Sequence, residues 1–352
     1  ACPLSALFAA QQCGGSDAFS GTHANPLIAA ASKLLIESGG GALLAETDEL
    51  IGAEAYVLSR VRDYATAAGF LRMVDEFHAY ARAHGASAEG NPSGGNLHRG
   101  LYNIALKSLG AAMKRHPDVR LERVLRYAEP VEVARAAAGS GASSAAGSSG
   151  SGPGYCFMDS PGNDLESLCG QVASGCNVIY FTTGNGSITN FPLCPTLKIV
   201  STHARYLMLE ADMDFDADGV GSREALASQL FELTVAVASG RRTKGEDAGH
   251  HQIQIWREWL NEPREAQEAS RVAPTESKLD GKSLRTPPRG ECALLLASGH
   301  LMYEGFAQPN GAPPSPERVA LVLPTSLCSA EVARAIARNR DRGPCGRRMR
   351  FA

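Results

Sequence analysis

No apolar run in this 352-residue chain reaches the roughly 18 residues that a membrane-spanning helix needs. Strong charge of either sign is also missing. The formal net charge is −3, so no field points to nucleic acid or to an anionic membrane surface, and both are excluded as partners. Aromatic residues make up only 6%, and the two tryptophans, Trp256 and Trp259, read as packing anchors. CxxC spacing is absent: the nine cysteines fall irregularly at 2, 13, 156, 169, 176, 194, 292, 328 and 345. An odd, irregular set argues against a disulfide framework and for a reducing compartment, so the expected location is cytoplasmic. The opening Ala1-Cys2-Pro3-Leu4 resembles neither a charged signal segment nor an initiator, and reads as a fragment or processed chain. There is no internal repeat.

The chain does have a hydrophobic content of 44% and length enough for a large buried core. Pro26 to Glu37 has helical apolar spacing and stops at Gly39-Gly40-Gly41; Ala42 to Ala45 follows as a short buried strand. Leu50 to His84 reads as two helices, Asn91 to Asn96 as a turn-rich loop, and Arg99 to Lys114 as a helix. Strands are predicted at Tyr155 to Met158, Val178 to Thr182 and Leu197 to Val200, with helices over Leu165 to Ser174 and Ser222 to Ser239. This alternation predicts an α/β domain over 1–260. Residues 134–153, almost all Ala, Gly and Ser, read as a flexible insertion within it. The polar stretch 261–290 is expected to be a linker, and 291–352 an extension packing on the same domain, with a strand at Val319 to Leu323 and a helix at Ser329 to Asn339.

Polar loops sit where strands end or helices begin, the usual place for a site in an α/β sheet. The first contains Gln12-Cys13-Gly14-Gly15-Ser16-Asp17-Ala18-Phe19-Ser20-Gly21 and leads to Asn25-Pro26. Others are Glu46 to Glu54, Asn91 to Arg99, Asp159 to Asp164, Thr182 to Asn190 and Pro324 to Ser329. Their carboxylates, amides, hydroxyls, Lys107 and thiols suit a small polyhydroxylated acid. Gly14, Gly15, Ser16, Ser20, Asn25, Asn91, Asn96, Thr183 and Asn185 are the expected substrate contacts. Plainer roles compete: Asp17 and Ser20 as helix caps, Glu46 as a helix-dipole partner, Asn91 and Asn96 as turn residues. The Thr182 to Ser187 loop lacks the lysine of a phosphate-binding loop. Cys13 and Cys328 stand beside expected helix starts, where a thiolate is favoured, and are the expected metal ligands.

These loops resemble those of the altronate and galactarate (sugar-acid) dehydratases, in their C-terminal catalytic region. The resemblance runs in order through the Cys13 loop, Ala45-Glu46-Thr47 to Glu54, Asn91-Pro92-Ser93-Gly94-Gly95-Asn96 and Lys107-Ser108-Leu109-Gly110. It continues through Phe157-Met158-Asp159-Ser160-Pro161-Gly162, Gly170-Gln171-Val172-Ala173 and Phe181 to Ser187. It implies a family-specific, Rossmann-like layered domain with a mixed sheet and flanking helices. It also implies a hydro-lyase that removes water from an aldarate or aldonate to give a 2-keto-3-deoxy acid, using a divalent metal, Fe²⁺. A homo-oligomer is compatible with it, and the N-terminal domains that the family carries are expected to be missing from this chain. Dehydration needs a base beside the carboxylate and a Lewis acid or donors for the developing enediolate. Asp17, Glu46, Glu54 and Lys107 are the candidates for acid–base work.

Two alternatives stay open. Relatives of this family act as sulfo-lyases on sulfolactate. A non-catalytic sugar-acid binding protein is the other: where the family reads Met-Asp-x-Asn-Ala-Gly, this chain has Met213-Asp214-Phe215-Asp216-Ala217-Asp218. The added charge of Asp216 and Asp218 is expected to repel an anion or distort a metal shell.

Overall fold

A computed structural model describes residues 2–131 and 152–256 in full, and the backbone of 319–322 and 348–351. The 134–153 insertion (save its last two residues), the 261–290 linker, most of the 291–352 extension, Trp259 and Cys328 lie outside the described residues.

Seven strands form one sheet in the order β3-β4-β2-β1-β5-β6-β7. They are β1 (Phe8–Cys13), β2 (Gly41–Leu44), β3 (Leu121–Leu125), β4 (Gly154–Met158), β5 (Val178–Thr183), β6 (Thr196–Val200) and β7 (Phe215–Asp216). Every described pairing is parallel. The α/β layering expected from the sequence is present, but the sheet is parallel rather than mixed. The stretches between successive strands are long enough for the crossovers that parallel neighbours require. A second, two-stranded parallel pair joins β8 (Val319–Val322) to β9 (Arg348–Phe351).

The helices are α1 (Asn25–Glu37), α2 (Glu54–Leu58), α3 (Tyr64–Ala83), α4 (Gly94–His98), α5 (Ile104–Ala112), α6 (Asp164–Ala173), α7 (His203–Met208), α8 (Arg223–Ala238) and α9 (Lys244–Asp247). Strand alternation sorts the core into two layers. Ala9 and Cys13 of β1, with Tyr155, Phe157, Tyr180 and Ile199, face Leu27, Leu35, Phe70 and Leu230 of α1, α3 and α8. Phe8 and Ala10, with Cys156, Met158, Ile179 and Phe181, face Leu168 of α6. Trp256 packs edge-on against Tyr80 and Tyr127, as its anchoring role requires. No helix among the described residues is long and apolar enough to cross a membrane.

The strand order reverses at β1: the chain goes from β1 to β2 on one side and later to β5 on the other. Ligands of open parallel sheets bind at the carboxyl ends of strands at such a switch. A π-helical turn, Ser20–Ala24, connects the loop after β1 to α1 and crosses α5 where two glycines meet. A β-carbon on Gly21 would lie 2.6 Å from the Gly110 Cα, so the crossing admits no side chain. Asn25 reinforces it by donating to the Gly110 carbonyl (2.8 Å) and accepting from the Thr182 hydroxyl (2.6 Å). Gly21→Ala is expected to force the loop and α5 apart and to destabilise the protein by about 1–3 kcal/mol, measured by urea denaturation.

Candidate active site

Cys13 ends β1, and the next strand delivers Glu46 beside it. Glu46 has φ +69°, a left-handed conformation uncommon for a residue with a side chain. Its neighbours enforce it. The Ser160 hydroxyl accepts from the Glu46 amide (3.0 Å), the Ser160 carbonyl accepts from the Thr47 amide (2.9 Å), and Thr47 donates to Asp159 (2.5 Å). The loop after β4 therefore holds the turn after β2, and strain over-determined in this way is typical of functional positions. The short 3₁₀ turn Thr47–Leu50 then places Glu49 near Glu46.

The result is a buried charged cluster. Cys13 Sγ lies 3.4 Å from Glu49 Oε2 and 3.7 Å from Glu46 Oε2. Ligand atoms of Cys13, Glu46 and Glu49 all lie within 4.8 Å of one another. Lys114 Nζ is 3.4 Å from Cys13 Sγ and forms an ion pair with Glu46 in which both side chains are fully enclosed. Lys107 pairs with Glu49 (2.7 Å) and donates to Asn91 Oδ1 (2.6 Å). Gln12 Nε2 bridges Glu46 Oε1 (2.6 Å) and Asp164 Oδ1 (2.8 Å), while Gln171 of α6 donates to Gln12 Oε1 (2.9 Å). Asn91 also donates to Asp48 Oδ2 (2.5 Å), whose other oxygen is enclosed without a hydrogen-bond partner. Gly14 has no room for a side chain, because a β-carbon would come 2.2 Å from Asp164 Oδ2. The cluster reaches solvent through half-buried Asp48, Asn91 and Asp164, and through Lys107, which is 8% exposed.

Burial dominates the titration of these groups, since low polarity penalises the charged form. It pushes the Asp48 carboxyl up to about 6, with help from the Glu49 charge, and the Asp164 carboxyl up to about 6. Burial also raises Glu46, against the pull of Lys114. For Lys114 the balance reverses: burial disfavours the ammonium, but Cys13, Glu46 and Glu49 outweigh it and hold the amine above the ordinary lysine range. The Lys107 ammonium is likewise disfavoured by burial and retained by Glu49. The lowered thiol expected for Cys13 is corrected. The residue sits at a strand end instead of a helix start, and burial, then Glu46, push its thiol well up.

A second group of residues forms a neutral polar rim. Asn96 is in α4, capped reciprocally with Ser93, and donates to the Ser16 carbonyl (2.8 Å). Ser16 Oγ is buried with no hydrogen-bond partner. A β-carbon on Gly15 would meet Asn185 and Thr183, and one on Gly95 would meet the Asn185 amide, so these loops converge. Thr183 Oγ1 accepts from the Gly186 and Ser187 amides.

The structure thus brings together Cys13, Gly14, Glu46, Asn91 and Lys107 in the charged cluster, and Gly15, Ser16, Asn96, Thr183 and Asn185 at the rim. Asp17 accepts from Ser20 (3.0 Å) and Ser201 (3.0 Å), so both its oxygens and the Ser20 hydroxyl serve the loop itself. Asn25 clamps β5 to α5. Glu54 stands apart, accepting from the Gly52 amide (2.9 Å) at the start of α2. The Asp216 carboxylate contacts His203 (2.6 Å) and the Asp218 amide on the edge strand β7, and none of its described contacts is with the cluster. Sequence reasoning missed Glu49, Lys114, Gln12, Asp48, Asp164 and Gln171 as members. The i, i+7 spacing of Lys107 and Lys114 and the i, i+3 spacing of Glu46 and Glu49 were the available signals.

Residues 4–261 match the protein family described as D-galactarate/Altronate dehydratase, C-terminal. The chain is 31% identical over 262 residues to the (2R)-sulfolactate sulfo-lyase subunit beta of Chromohalobacter salexigens, covering 73% of this chain and 62% of that protein. It is 30% identical over 257 residues to the altronate dehydratase of Escherichia coli, covering 72% and 48%. With the galactarate dehydratase (L-threo-forming) of the same organism it shares 28% identity over 261 residues, covering 72% and 46%. The chain spans roughly half the length of the curated relatives it matches, and the matched stretch carries both the charged cluster and the polar rim. On this match the chain belongs to the D-galactarate/altronate dehydratase family, whose C-terminal region it contains.

Proposed function

We propose that this chain carries the dehydrating site of a metal-dependent sugar-acid hydro-lyase, acting on an aldarate or aldonate to give a 2-keto-3-deoxy acid. The observation that carries the reading is the charged cluster itself, set at the switch point of a family member's sheet. Among the described residues, four enclosed or half-enclosed carboxyls, Glu46, Glu49, Asp48 and Asp164, share two ammonium groups, Lys107 and Lys114. A divalent cation offsets that imbalance, and one thiol with two carboxylates suits a metal of intermediate softness such as Fe²⁺. Cys13, Glu46 and Glu49 would hold it, and when bound it supplies a Lewis acid for the substrate oxygens.

The remaining residues do the rest. Lys107, the more exposed of the cluster's two lysines, receives the substrate carboxylate and opposes the charge that develops on it as the adjacent proton leaves. Asn91 and Glu49 fix that ammonium. Proton transfer needs a group poised near neutrality, a condition met by Asp48 and Asp164. The neutral rim of Ser16, Asn96 and Asn185 offers donors and acceptors to hydroxyls further along the substrate. A sulfo-lyase reaction is the second reading, favoured by the similarity to the sulfolactate sulfo-lyase subunit. It uses the same anion site with sulfite as the leaving group.

The protein loaded anaerobically with Fe²⁺ is expected to release a 2-keto acid from at least one aldarate or aldonate. Sulfite release from sulfolactate supports the second reading. Binding without either product would leave a sugar-acid binding protein. Lys107→Met is expected to lower kcat/KM by about 10²–10³-fold, as loss of a single charge-stabilising donor does, with the KM rising. Cys13→Ser is expected to lose most bound metal by elemental analysis, whereas Cys176→Ser, buried in the opposite core layer, keeps it.

A further inference from the structure

The charged cluster contains its own cation on the atoms that would hold a metal. Lys114 Nζ touches two of the three ligand residues, Cys13 at 3.4 Å and Glu46 in the enclosed ion pair, while Lys107 covers the third, Glu49. Lys114 is also held from behind. Its backbone carbonyl accepts from Gln11 Nε2 (2.9 Å), and Gln11 is fixed by the Ser32 hydroxyl (2.8 Å) and Tyr155 (2.8 Å). Arg115, next in the chain, is fully buried and donates to the Tyr56 and Val119 carbonyls (both 2.6 Å). The backbone at Lys114 is therefore anchored, and the side chain is the part left to move.

We infer that Lys114 is an internal counter-cation that keeps the Cys13–Glu46–Glu49 pocket assembled without metal and competes with a divalent ion for Glu46 and Cys13. This rests on the metal reading above and adds the residue that controls loading. Two carboxylates brought within 4.8 Å of each other and of the Cys13 thiol, and away from water, need compensation whenever they are ionised. Two cations cannot both occupy Glu46 Oε2 and Cys13 Sγ, because like charges at such separations repel strongly in a low-polarity interior. Metal uptake must then displace the ammonium from Glu46, and the pocket trades one cation for another without emptying.

The test uses the full chain with Mn²⁺ alone, followed by calorimetry and by the electron paramagnetic resonance of the bound ion. Lys114→Met removes the charge at similar length, and Lys114→Gln removes it while keeping a donor to Glu46. Both are expected to bind Mn²⁺ at least about tenfold more tightly than the parent, since a competing charge is gone. Both are also expected to be less thermally stable than the parent without metal and to recover most of that loss when Mn²⁺ is added. Equal Mn²⁺ affinity in parent and variants overturns the inference and leaves the metal reading standing. Weaker binding in both variants also overturns it, as does failure of both to fold even with Mn²⁺ present. Binding by neither parent nor variants removes the metal reading itself.

Discussion

The ion pair between Lys114 and Glu46, enclosed just beyond the ends of α5 and β2, is the constraint on which the site depends. Breaking such a pair by removing one partner costs about 3–5 kcal/mol, because a charge is left unmatched in a medium that does not solvate it. The surrounding structure supplies that match at several levels. Gln12 occupies the second oxygen of Glu46, Ser160 fixes the strained backbone that aims it, and Gln11 and Arg115 anchor the lysine from opposite sides. They come from β1, the loop after β4 and the end of α5, so the cluster ties these and the turn after β2 into one unit.

The parallel sheet explains why those segments meet. Every strand points its carboxyl end the same way, so the loops after β1, β2, β4 and β5 gather along one edge. Loops after β1 and β5 lie on either side of the switch point, and their glycines allow close approach: Gly14 beneath Asp164, and Gly15 against Asn185. Charge is concentrated where β1 and β2 end, while hydroxyls and amides line the side toward α4 and β5. A substrate with an acidic head and a hydroxylated tail matches that division. An apolar ligand finds nothing comparable there.

Much of this was legible in the sequence, and the gaps have physical causes. Strands β2, β4, β5 and β6 were readable because they are mostly apolar, as expected for a sheet covered on both faces, although β6 buries one lysine, Lys198. Strand β1 was not, because Gln11 and Gln12 break its apolar character; both are fully buried and carry the polar networks that hold Lys114 and Glu46. Among the cluster residues, Cys13, Glu46 and Asn91 are marked in the sequence by their polar loops, and Lys107 by the stretch Lys107 to Gly110 in the family resemblance. Lys114 escaped because it ends a helical segment, where a lysine ordinarily faces water. Asp164 reads from sequence as the last residue of the Asp159 to Asp164 loop; it opens α6 instead, and its carboxylate closes the site over Gly14. Local pattern identifies which residues are polar. Which polar residues end up opposite one another depends on strand order, and the sequence alone carries little of that.

On the proposed reading, a thiol and two carboxylates from neighbouring strand ends share one metal ion. X-ray absorption at the metal edge of the iron-loaded protein tests this sharing. One sulfur scatterer among oxygen neighbours is expected, and it disappears in Cys13→Ser. A shell of oxygen and nitrogen alone in the parent protein would contradict it.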